Sequence, residues 1–201
     1  MQRLLALRHA ESVLNATERL NGDPGVPCGL SDRGRDQARK AAADLAGESI
    51  DLCVVSQLER ARATADRLLA GRAMPVIAMA EFNETTFGHF EGQHWADGYH
   101  EWALATGPSD PCPGGGESRA SVVLRVCNGY AALLRRREHT ILLVTHGAPI
   151  RYALDAREGK PPQAHVHGVP AAHPFAFARD DVVAAVAVLE RWLAAPAWAA
   201  N

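Results

Sequence analysis

The sequence predicts an α/β fold, a three-layer sandwich in which a mainly parallel central sheet is flanked by helices on both faces. The first observation is that short, continuous apolar runs, typical of strands buried on both faces, recur along the chain. The second is that segments of helical period separate these runs, as the connection between parallel strands requires. With 201 residues and no recognisable linker, residues 1–201 are predicted to form a single domain.

The first half of the chain contains three apolar runs and two helical segments between them. The segment after Ser31 has an acidic residue early, alanines later and Gly47 at its end, the pattern of a helix that begins at a serine cap. Gly71 ends the second helical segment in the same way. The predicted elements are a strand at 2–7, a helix at 31–46, a strand at 50–56, a helix at 58–71 and a strand at 74–80.

The second half begins with a segment that breaks this alternation. Residues 83–117 contain many aromatic residues and histidines, three prolines and three consecutive glycines, with some helix expected at 94–105. Connecting segments often carry binding sites, and residues 93–113 are predicted to form a small cap that contributes to the substrate site. The chain then resumes with a predicted helix at 117–137, a strand at 140–147 and a helix at 148–156.

The segment from residue 157 onward permits two interpretations. The stretch "FAFARDDVVAAVAVLERW" is either a β-hairpin that turns at Asp180–Asp181 or a strand followed by a helix that Asp181 caps. The valine-rich alternation favours the hairpin, whereas the alanine content favours the helix. The balance lies slightly towards the hairpin, and both interpretations stay open.

The composition excludes several classes of function. The net charge is −2, with 21 basic and 23 acidic side chains, so no general field attracts nucleic acid or an anionic membrane. No apolar stretch is long enough to span a bilayer, and the N-terminal residues lack the pattern of a secretion signal. Four cysteines lie far apart in the sequence, as in proteins whose thiols stay reduced. The sequence therefore predicts a cytoplasmic protein.

Polar side chains follow three of the predicted strands, at the point where each strand ends. His9 follows the first strand, Arg60 lies just past the second, and His146 follows the strand that begins at residue 140. In open parallel sheets, ligands bind outside the carboxyl ends of the strands. The sequence therefore predicts that these three side chains meet at one edge of the sheet.

The residue types at this edge are those that metal-free phosphoryl transfer requires, namely a nucleophile, fixed cations and an acid for the leaving group. His9 is the candidate nucleophile. Arg8 and Arg60 are expected to hold the phosphate, because a guanidinium binds phosphate oxygens in a bidentate manner and stays charged. His146, in its protonated form, is predicted to be a further donor. Glu84 is predicted to protonate the leaving oxygen.

Taken together, six segments in order resemble the histidine phosphatase superfamily, which also includes the cofactor-dependent phosphoglycerate mutases. The matches run from residue 4 to about residue 151. In this chain Arg8-His9-Ala10 replaces the more usual Arg-His-Gly, a departure that puts the backbone approach to the phosphate in question. The six segments are "LLALRHAESVLN", "RLNGDPGVPCGLSDRGRDQA", "SQLERARATA", "NETTFGHFEG", "PGGGES" and "LLVTHGAPIR".

The resemblance implies a sheet-and-helix fold and a two-step mechanism without metal, through a covalent phosphohistidine on His9. It implies that Glu84 acts first as an acid and then as a base. The predicted catalytic residues are Arg8, His9, Arg60, Glu84 and His146. The predicted phosphate- and substrate-binding residues are Arg8, Asn15, Gly22, Arg60, His146 and Gly147.

Two alternatives concern the histidines and the aromatic residues. His165, His167 and His173 suggest a metal site, but no thiolate or carboxylate completes a ligand set at a familiar spacing, so no metal is predicted. Trp95 and Tyr99, with Trp102, have the spacing of a helical stripe that packs against a core. Contact between this stripe and the substrate is the alternative.

Two further alternatives concern the activity. A protein that binds phosphorylated ligands without turnover would typically lack the nucleophile, an arginine or the acid, and this chain has all of them. A mutase must exclude water until the phosphoryl group returns to the substrate. The mutases of the family are longer, and only about 22 residues lie between Gly92 and Gly115 to form a cover, so hydrolysis is favoured.

The sequence thus predicts a phosphomonoesterase that acts on a small phosphorylated metabolite, without a cofactor, a nucleic acid or a membrane. Its oligomeric state is left open, with a homodimer as one option. The side chains that select the substrate are expected at 93–113 and 157–180. The latter segment is rich in proline and histidine and has no cluster of lysines or arginines, which argues against substrates with several phosphates.

Overall fold

The computed structural model describes residues 1–198, which form five strands and six helices. Three short 3₁₀ turns lie at 15–17, 80–82 and 88–90. The strands are β1 (Arg3–Arg8), β2 (Leu52–Val55), β3 (Val76–Ala78), β4 (Thr140–Thr145) and β5 (Pro174–Ala178). The helices are α1 (Asp32–Asp44), α2 (Glu59–Leu68), α3 (Tyr99–Ala105), α4 (Arg119–Leu134), α5 (Gly147–Arg157) and α6 (Arg179–Leu193).

The five strands form one sheet in the order β3-β2-β4-β1-β5. The first four are parallel to one another, and β5 pairs with β1 in the antiparallel direction at one edge. This arrangement confirms the predicted α/β class with a mainly parallel sheet. Because β5 is antiparallel to β1, no helix has to cross the sheet directly before it. The chain reaches β5 through the long segment that follows α5.

Alternate residues of the central strands pack against different layers of helices, which is why these strands are apolar at every position. In β1, Leu5 and Leu7 belong to the apolar cluster that includes residues of α1 and α2. Leu4 and Ala6 belong to the larger cluster that includes residues of α4, α5 and α6. The predicted three-layer sandwich is therefore confirmed.

The predicted start of α1 is also confirmed. Ser31 has extended backbone angles, and its hydroxyl accepts a hydrogen bond from the Gly34 N–H at 3.0 Å. The loss of such a cap costs about 1 kcal/mol of stability. In α4, the Asn128–Gly129 pair does not interrupt the helix. A Cβ at Gly129 would lie 2.9 Å from the Phe82 ring, so the glycine lets the helix approach that ring closely.

Of the two interpretations of the C-terminal segment, the strand followed by a helix is confirmed and the slightly favoured hairpin is wrong. Residues 174–178 form β5, and residues 179–193 form α6. The Asp181 carboxylate accepts a hydrogen bond from the Ala178 N–H at 2.8 Å, and this contact begins the helix one turn earlier than a cap at Asp181 would. The buried residues recur at helical spacing, which outweighs the β preference of valine: Val182, Ala185, Val186, Leu189 and Trp192.

Within residues 1–198, none of the helices combines the length and the apolar character that a membrane span requires.

Candidate active site

The register of the sheet brings the two predicted histidines together. Arg8, the last residue of β1, pairs with Thr145, the last residue of β4, so the two parallel strands end side by side. His9 and His146 follow directly, and their ring centroids are 5.0 Å apart. Both rings are buried, with 1% and 0% of their surface exposed. The predicted meeting of these residues at one edge of the sheet is what the structure shows.

His9 is held in one tautomer. Its Nδ1 lies 2.7 Å from the Ala10 carbonyl oxygen, which can only accept, so Nδ1 carries the proton. Its Nε2 accepts a hydrogen bond from Arg60 Nε at 2.9 Å. Burial, and then the positive charges of Arg60 and Arg8, lower the pKa of the imidazole well below its ordinary value of 6.5. The ring is therefore neutral, with its Nε2 lone pair turned towards the arginine.

Arg60, on the first turn of α2, connects the elements of the site. Its terminal nitrogens donate to the side-chain and backbone oxygens of Asn21, at 2.6 and 2.8 Å. One of them also lies 3.2 Å from His146 Nδ1. The side chain is 3% exposed, so the guanidinium is fixed in place and its charge acts in a medium of low polarity.

His146 is also neutral in this structure. Its Nε2 lies 2.8 Å from the Ser56 hydroxyl, and its Nδ1 accepts from Arg60. Burial, followed by the charge of Arg60, lowers the pKa of this ring well below 6.5. The predicted protonated form of His146 concerns the site with a transferring phosphate and stays a prediction. A phosphate dianion beside the ring would raise that pKa.

Arg8 has one terminal nitrogen bound to the protein and a buried Nε that is not. The bound terminal nitrogen donates to the Val169 carbonyl at 2.8 Å, which fixes the direction of the side chain. Its Nε is buried and has no hydrogen-bond partner among residues 1–198. A buried donor without a partner costs about 1–3 kcal/mol, and an anion in the adjacent cavity would satisfy it.

Glu84 lies in the loop between β3 and α3 and lines the cavity beside the strand ends. Its side chain is 19% exposed, and its Oε2 lies 4.0 Å from His146 Nδ1. Its Oε1 accepts a hydrogen bond from the Thr85 N–H at 3.0 Å. One carboxylate oxygen is thus held by the backbone while the other lies near His146.

An ion pair that the sequence interpretation did not identify holds the Glu84 loop. Arg125, on α4, donates to the carbonyl oxygens of Asn83 at 2.7 Å and of Glu84 at 2.9 Å. It also pairs with Glu117, whose carboxylate accepts from the Thr86 N–H at 3.0 Å. The pair therefore holds the backbone on both sides of Glu84. Glu117 belongs to the recognised "PGGGES" segment, the only sequence signal for this role.

A cavity of about 340 Å³ opens at this edge of the sheet and joins most of the predicted residues. Its lining includes Arg8, His9, Asn15, Arg60 and Glu84. His146 lies behind the cavity, in contact with Arg60.

Two further predicted binding residues, like His146, do not line the cavity. The Gly22 N–H donates to the Glu91 carboxylate at 2.9 Å, and a Cβ at this position would lie 1.7 Å from the Thr85 carbonyl oxygen. This glycine is required by the close approach of two loops. Gly147 is the first residue of α5, with open space beside its Cα. The structure assigns neither of them a contact with the cavity.

Ala10, which stands where the family usually has glycine, leaves the cavity unobstructed. Its methyl group is fully buried in a small cluster with Leu30 and Ala38, and it does not line the cavity. Its N–H donates to the Thr64 hydroxyl at 3.0 Å.

Three polar residues that the sequence interpretation assigned no role support the site directly. Asn21 orients Arg60, Ser56 contacts His146, and the Thr64 hydroxyl donates to the Arg60 carbonyl oxygen at 2.7 Å. All three are buried. Ser56 and Thr64 are part of the recognised "SQLERARATA" segment, and Asn21 is part of "RLNGDPGVPCGLSDRGRDQA".

A second cavity of about 600 Å³ adjoins the first and shares Arg8, Glu84 and Trp95 with it. Part of the predicted cap segment, including Tyr99, lines this cavity. Trp102 packs on the Arg119 guanidinium, while Trp95 is 41% exposed and lines both cavities, so contact between the stripe and the substrate stays a prediction.

No group of three or more histidine, cysteine, aspartate or glutamate side chains within residues 1–198 is placed to hold a metal ion. The alternative of a metal site built on His165, His167 and His173 gains no support from this part of the chain.

The lowered pKa of His9 leads to a testable expectation. In phosphate-free buffer, the His9 imidazole is expected to stay neutral as the pH falls through 6.5, because a lowered pKa means that the ring binds its proton only at lower pH. NMR titration of the ring nitrogens, assigned with a His9→Ala variant, measures this directly. A titration midpoint at or above pH 6.5 for His9 would contradict the described burial and charge.

Comparison with known proteins identifies the family. A sequence profile described as histidine phosphatase superfamily (branch 1) matches residues 4–172. The chain belongs to this superfamily. The chain is therefore an enzyme of the kind that includes histidine phosphatases and phosphoglycerate mutases.

Relatives of this histidine phosphatase include both kinds of enzyme. It is 32% identical to the adenosylcobalamin/alpha-ribazole phosphatase of Escherichia coli, over 82% of this chain and 83% of the relative. It is 30% identical to a 2,3-bisphosphoglycerate-dependent phosphoglycerate mutase of Brucella melitensis, over 80% and 83% of the two chains.

The fold is also similar to solved structures. A crystal structure described as that of a putative alpha-ribazole-5'-P phosphatase from E. coli superposes with a TM-score of 0.76 at 29% identity, and the match covers 87% of this chain and 89% of the other.

Proposed function

We propose that this histidine phosphatase hydrolyses phosphomonoesters through a covalent phosphohistidine on His9. Nε2 of His9 gives up its hydrogen bond from Arg60 and attacks phosphorus, and the bond from phosphorus to the alcohol oxygen breaks. Glu84 gives its proton to that oxygen, so the alcohol leaves neutral. A water molecule then gives a proton back to Glu84 and attacks the phosphohistidine, which releases inorganic phosphate and restores the imidazole.

The convergence of four side chains on one cavity, with His146 in contact with Arg60 behind it, carries this proposal. Arg60 lies within hydrogen-bond distance of both histidines, Arg8 has a buried Nε with no partner among residues 1–198, and one Glu84 oxygen lies 4.0 Å from His146. Arg8, Arg60 and His146 would stabilise the charge on the equatorial oxygens during transfer. Asn15, which lines the same cavity, would contact the phosphate.

Hydrolysis rather than mutase chemistry is supported by the access of water. Glu84 is partly exposed, and Trp95 and Leu104 beside the cavities are 41% and 53% exposed. A mutase must exclude water while the phosphoryl group is on the enzyme. Chain length does not distinguish a phosphatase from a mutase here. The phosphoglycerate mutase of Brucella melitensis matches over similar shares of both chains, so it is of similar length and not longer, as the sequence interpretation assumed.

A phosphate-release screen over a panel of phosphomonoesters, run with and without a metal chelator, tests this proposal. The panel includes 3-phosphoglycerate, with its isomer measured as a second product. We expect release of inorganic phosphate at a rate that the chelator does not change, with no isomerisation above the rate of hydrolysis. Isomerisation that exceeds hydrolysis would replace the proposal by a mutase, and loss of activity with the chelator would contradict the metal-free mechanism.

The acid role of Glu84 predicts an effect that depends on the leaving group. Glu84→Gln removes the proton donor but keeps the size of the side chain, so we expect a loss of about 10²–10⁴-fold in the rate of phosphoryl transfer from alkyl phosphates. Aryl phosphates with acidic leaving groups need no proton and lose less. Burst kinetics with both kinds of ester measure this first step. Equal losses for the two would remove the acid role from Glu84.

A further inference from the structure

We propose that Ser56 is a positioning residue for His146, whose hydroxyl oxygen binds the proton on Nε2 and so directs a second proton to Nδ1, beside the transferring phosphate. The inference rests on the proposed hydrolysis and adds to it a residue that acts through the histidine and not on the substrate. Two observations carry it, namely the hydrogen bonds of one buried ring and the place of Ser56 at the end of β2.

The hydrogen bonds of His146 fix the position of its proton. Nδ1 lies 3.2 Å from a terminal nitrogen of Arg60. A guanidinium can only donate, so this Nδ1 carries no proton and accepts. The single proton of the neutral ring is therefore on Nε2, which donates to the Ser56 hydroxyl oxygen at 2.8 Å. The ring of His9 is held in the opposite tautomer, with its proton on Nδ1.

The sheet places Ser56 beside His146. Ser56 comes directly after β2, and its backbone N–H donates to the Val144 carbonyl oxygen in β4 at 3.2 Å. Its hydroxyl oxygen also lies 3.4 Å from the N–H of Leu58, the residue before α2. Both Ser56 and His146 are 0% exposed. Because the pair is fully buried, bulk water cannot replace the hydroxyl as the acceptor for the Nε2 proton.

The charges around the ring show where a second proton is stabilised. Burial, and then the positive charges nearby, keep the pKa of the free ring well below 6.5. A carboxylate oxygen lies 4.0 Å from Nδ1, and the phosphate cavity is on this same side. The titratable and charged groups that face the ring are Arg60 on α2, Arg8 and His9 at the end of β1, Arg125 on α4 and Glu84 in the loop after β3.

The hydroxyl of Ser56 therefore stabilises the charged ring more than the neutral ring. When a phosphate dianion binds, His146 takes a proton from solvent on Nδ1, and the Arg60 nitrogen moves from that atom to the phosphate. The resulting imidazolium donates from both nitrogens, to a phosphate oxygen and to Ser56. Hydrogen bonds from a cation are the stronger ones, so an acceptor at Nε2 raises the pKa of the ring in the phosphate complex.

Ser56→Ala tests this role through the pH dependence of the first step. The rate of phosphoenzyme formation is measured with an aryl phosphate whose leaving group is acidic, since such an ester needs no proton from Glu84. The rate falls as His146 loses its proton, and a lower pKa moves this fall to lower pH. We expect the alkaline limb of Ser56→Ala about one pH unit below that of the parent protein. The loss is about tenfold above the limb and small below it.

Thr140→Val is the matched control. Thr140 lies at the other end of β4, and its hydroxyl oxygen is 3.2 Å from Nδ1 of His139, so this variant removes a hydroxyl–imidazole contact of the same strand outside the site. It should leave the pH profile unchanged. A loss of equal size at every pH in Ser56→Ala, or an equal shift of the limb in Thr140→Val, would give Ser56 a structural role only and overturn the inference.

NMR of the ring nitrogens tests the inference without turnover. In phosphate-free buffer, we expect the proton of the parent His146 on Nε2. With saturating inorganic phosphate, Nδ1 is expected to gain a proton at higher pH than in the free protein, and Ser56→Ala should lower this midpoint by about one pH unit.

The outcomes separate the two proposals. A proton on Nδ1 of His146 in the free parent protein, which needs no variant to detect, would overturn the inference. A midpoint in phosphate that Ser56→Ala does not move would do the same, and both results leave the proposed hydrolysis intact. Absence of phosphate release from every ester would overturn the proposed hydrolysis, while the nitrogen measurements would still locate the proton.

Discussion

Replacement of His9 by alanine is expected to lower kcat/KM for phosphate release by about 10⁴-fold or more, because the covalent step loses its nucleophile. The ring is buried, it is held as a single tautomer by the Ala10 carbonyl, and its Nε2 faces Arg60. No other imidazole within residues 1–198 has this position. The initial rate of release of inorganic phosphate from one phosphomonoester, measured at several concentrations, gives kcat/KM for both proteins.

The matched control is His173→Ala, which removes an exposed imidazole that lines neither cavity. It should leave kcat/KM within about twofold of the parent protein, as surface substitutions usually do. Thermal unfolding of both variants separates loss of the nucleophile from loss of the fold. A folded His9→Ala protein with a near-normal rate would refute the proposed role of His9 and favour a site that binds phosphorylated ligands by other means.

Replacement of Arg60 by lysine is expected to lower kcat/KM by about 10²–10³-fold although the charge is kept. The guanidinium uses all three nitrogens at once, towards His9, Asn21 and His146. A lysine ammonium is a single point donor and cannot form this planar set of contacts. The loss should be largest in the rate of formation of the phosphoenzyme, because the arginine is proposed to stabilise the transferring group.

Arg62→Lys is the control for this substitution, since Arg62 lies exposed on the same helix and lines neither cavity. Pre-steady-state measurement of the phosphoenzyme separates its formation from its hydrolysis. An Arg60→Lys protein that forms the phosphoenzyme at the parent rate would show that a positive charge at this position is sufficient. The planar geometry of the guanidinium would then have no role in the transfer.

The fold could be predicted where local physical signals agree with one another. The strands β1, β2 and β4 are apolar without a break because both of their faces are covered, and Ser31 marks the start of α1 with a cap that forms in the structure. The C-terminal segment stayed open between a hairpin and a helix because valine favours strands whereas alanine favours helices. The hydrogen bond from the Ala178 N–H to Asp181, and the helical spacing of the residues that α6 buries against α4 and α5, decide that segment.

The centre of the site could be predicted because a parallel sheet delivers the ends of its strands to one edge. Arg8, His9 and His146 are the residues at those ends, and Arg60 is on the first turn of the helix that follows β2. The lowered pKa of His146 could not be predicted, because it depends on the full burial of the ring beside Arg60. Asn21 was missed for a similar reason, since its role arises only once two loops meet.

The second cavity lay beyond prediction from the sequence. It combines residues of the loop before α3, of α3 itself, of α4 and α5, and of the segment around His165, which are far apart in the chain. Neither a strand end nor a helical period relates these positions to one another. Only the aromatic and histidine content of the two segments indicated in advance that they concern the substrate.

The identity of the phosphorylated residue tests the central claim most directly. The enzyme is mixed briefly with a ³²P-labelled phosphomonoester and quenched in alkali, where a phosphohistidine survives, and the labelled peptide is mapped by mass spectrometry. The account predicts one label, stable in alkali and lost in acid, on the imidazole of His9. Label on any other side chain, or turnover with no label at any mixing time, would contradict it.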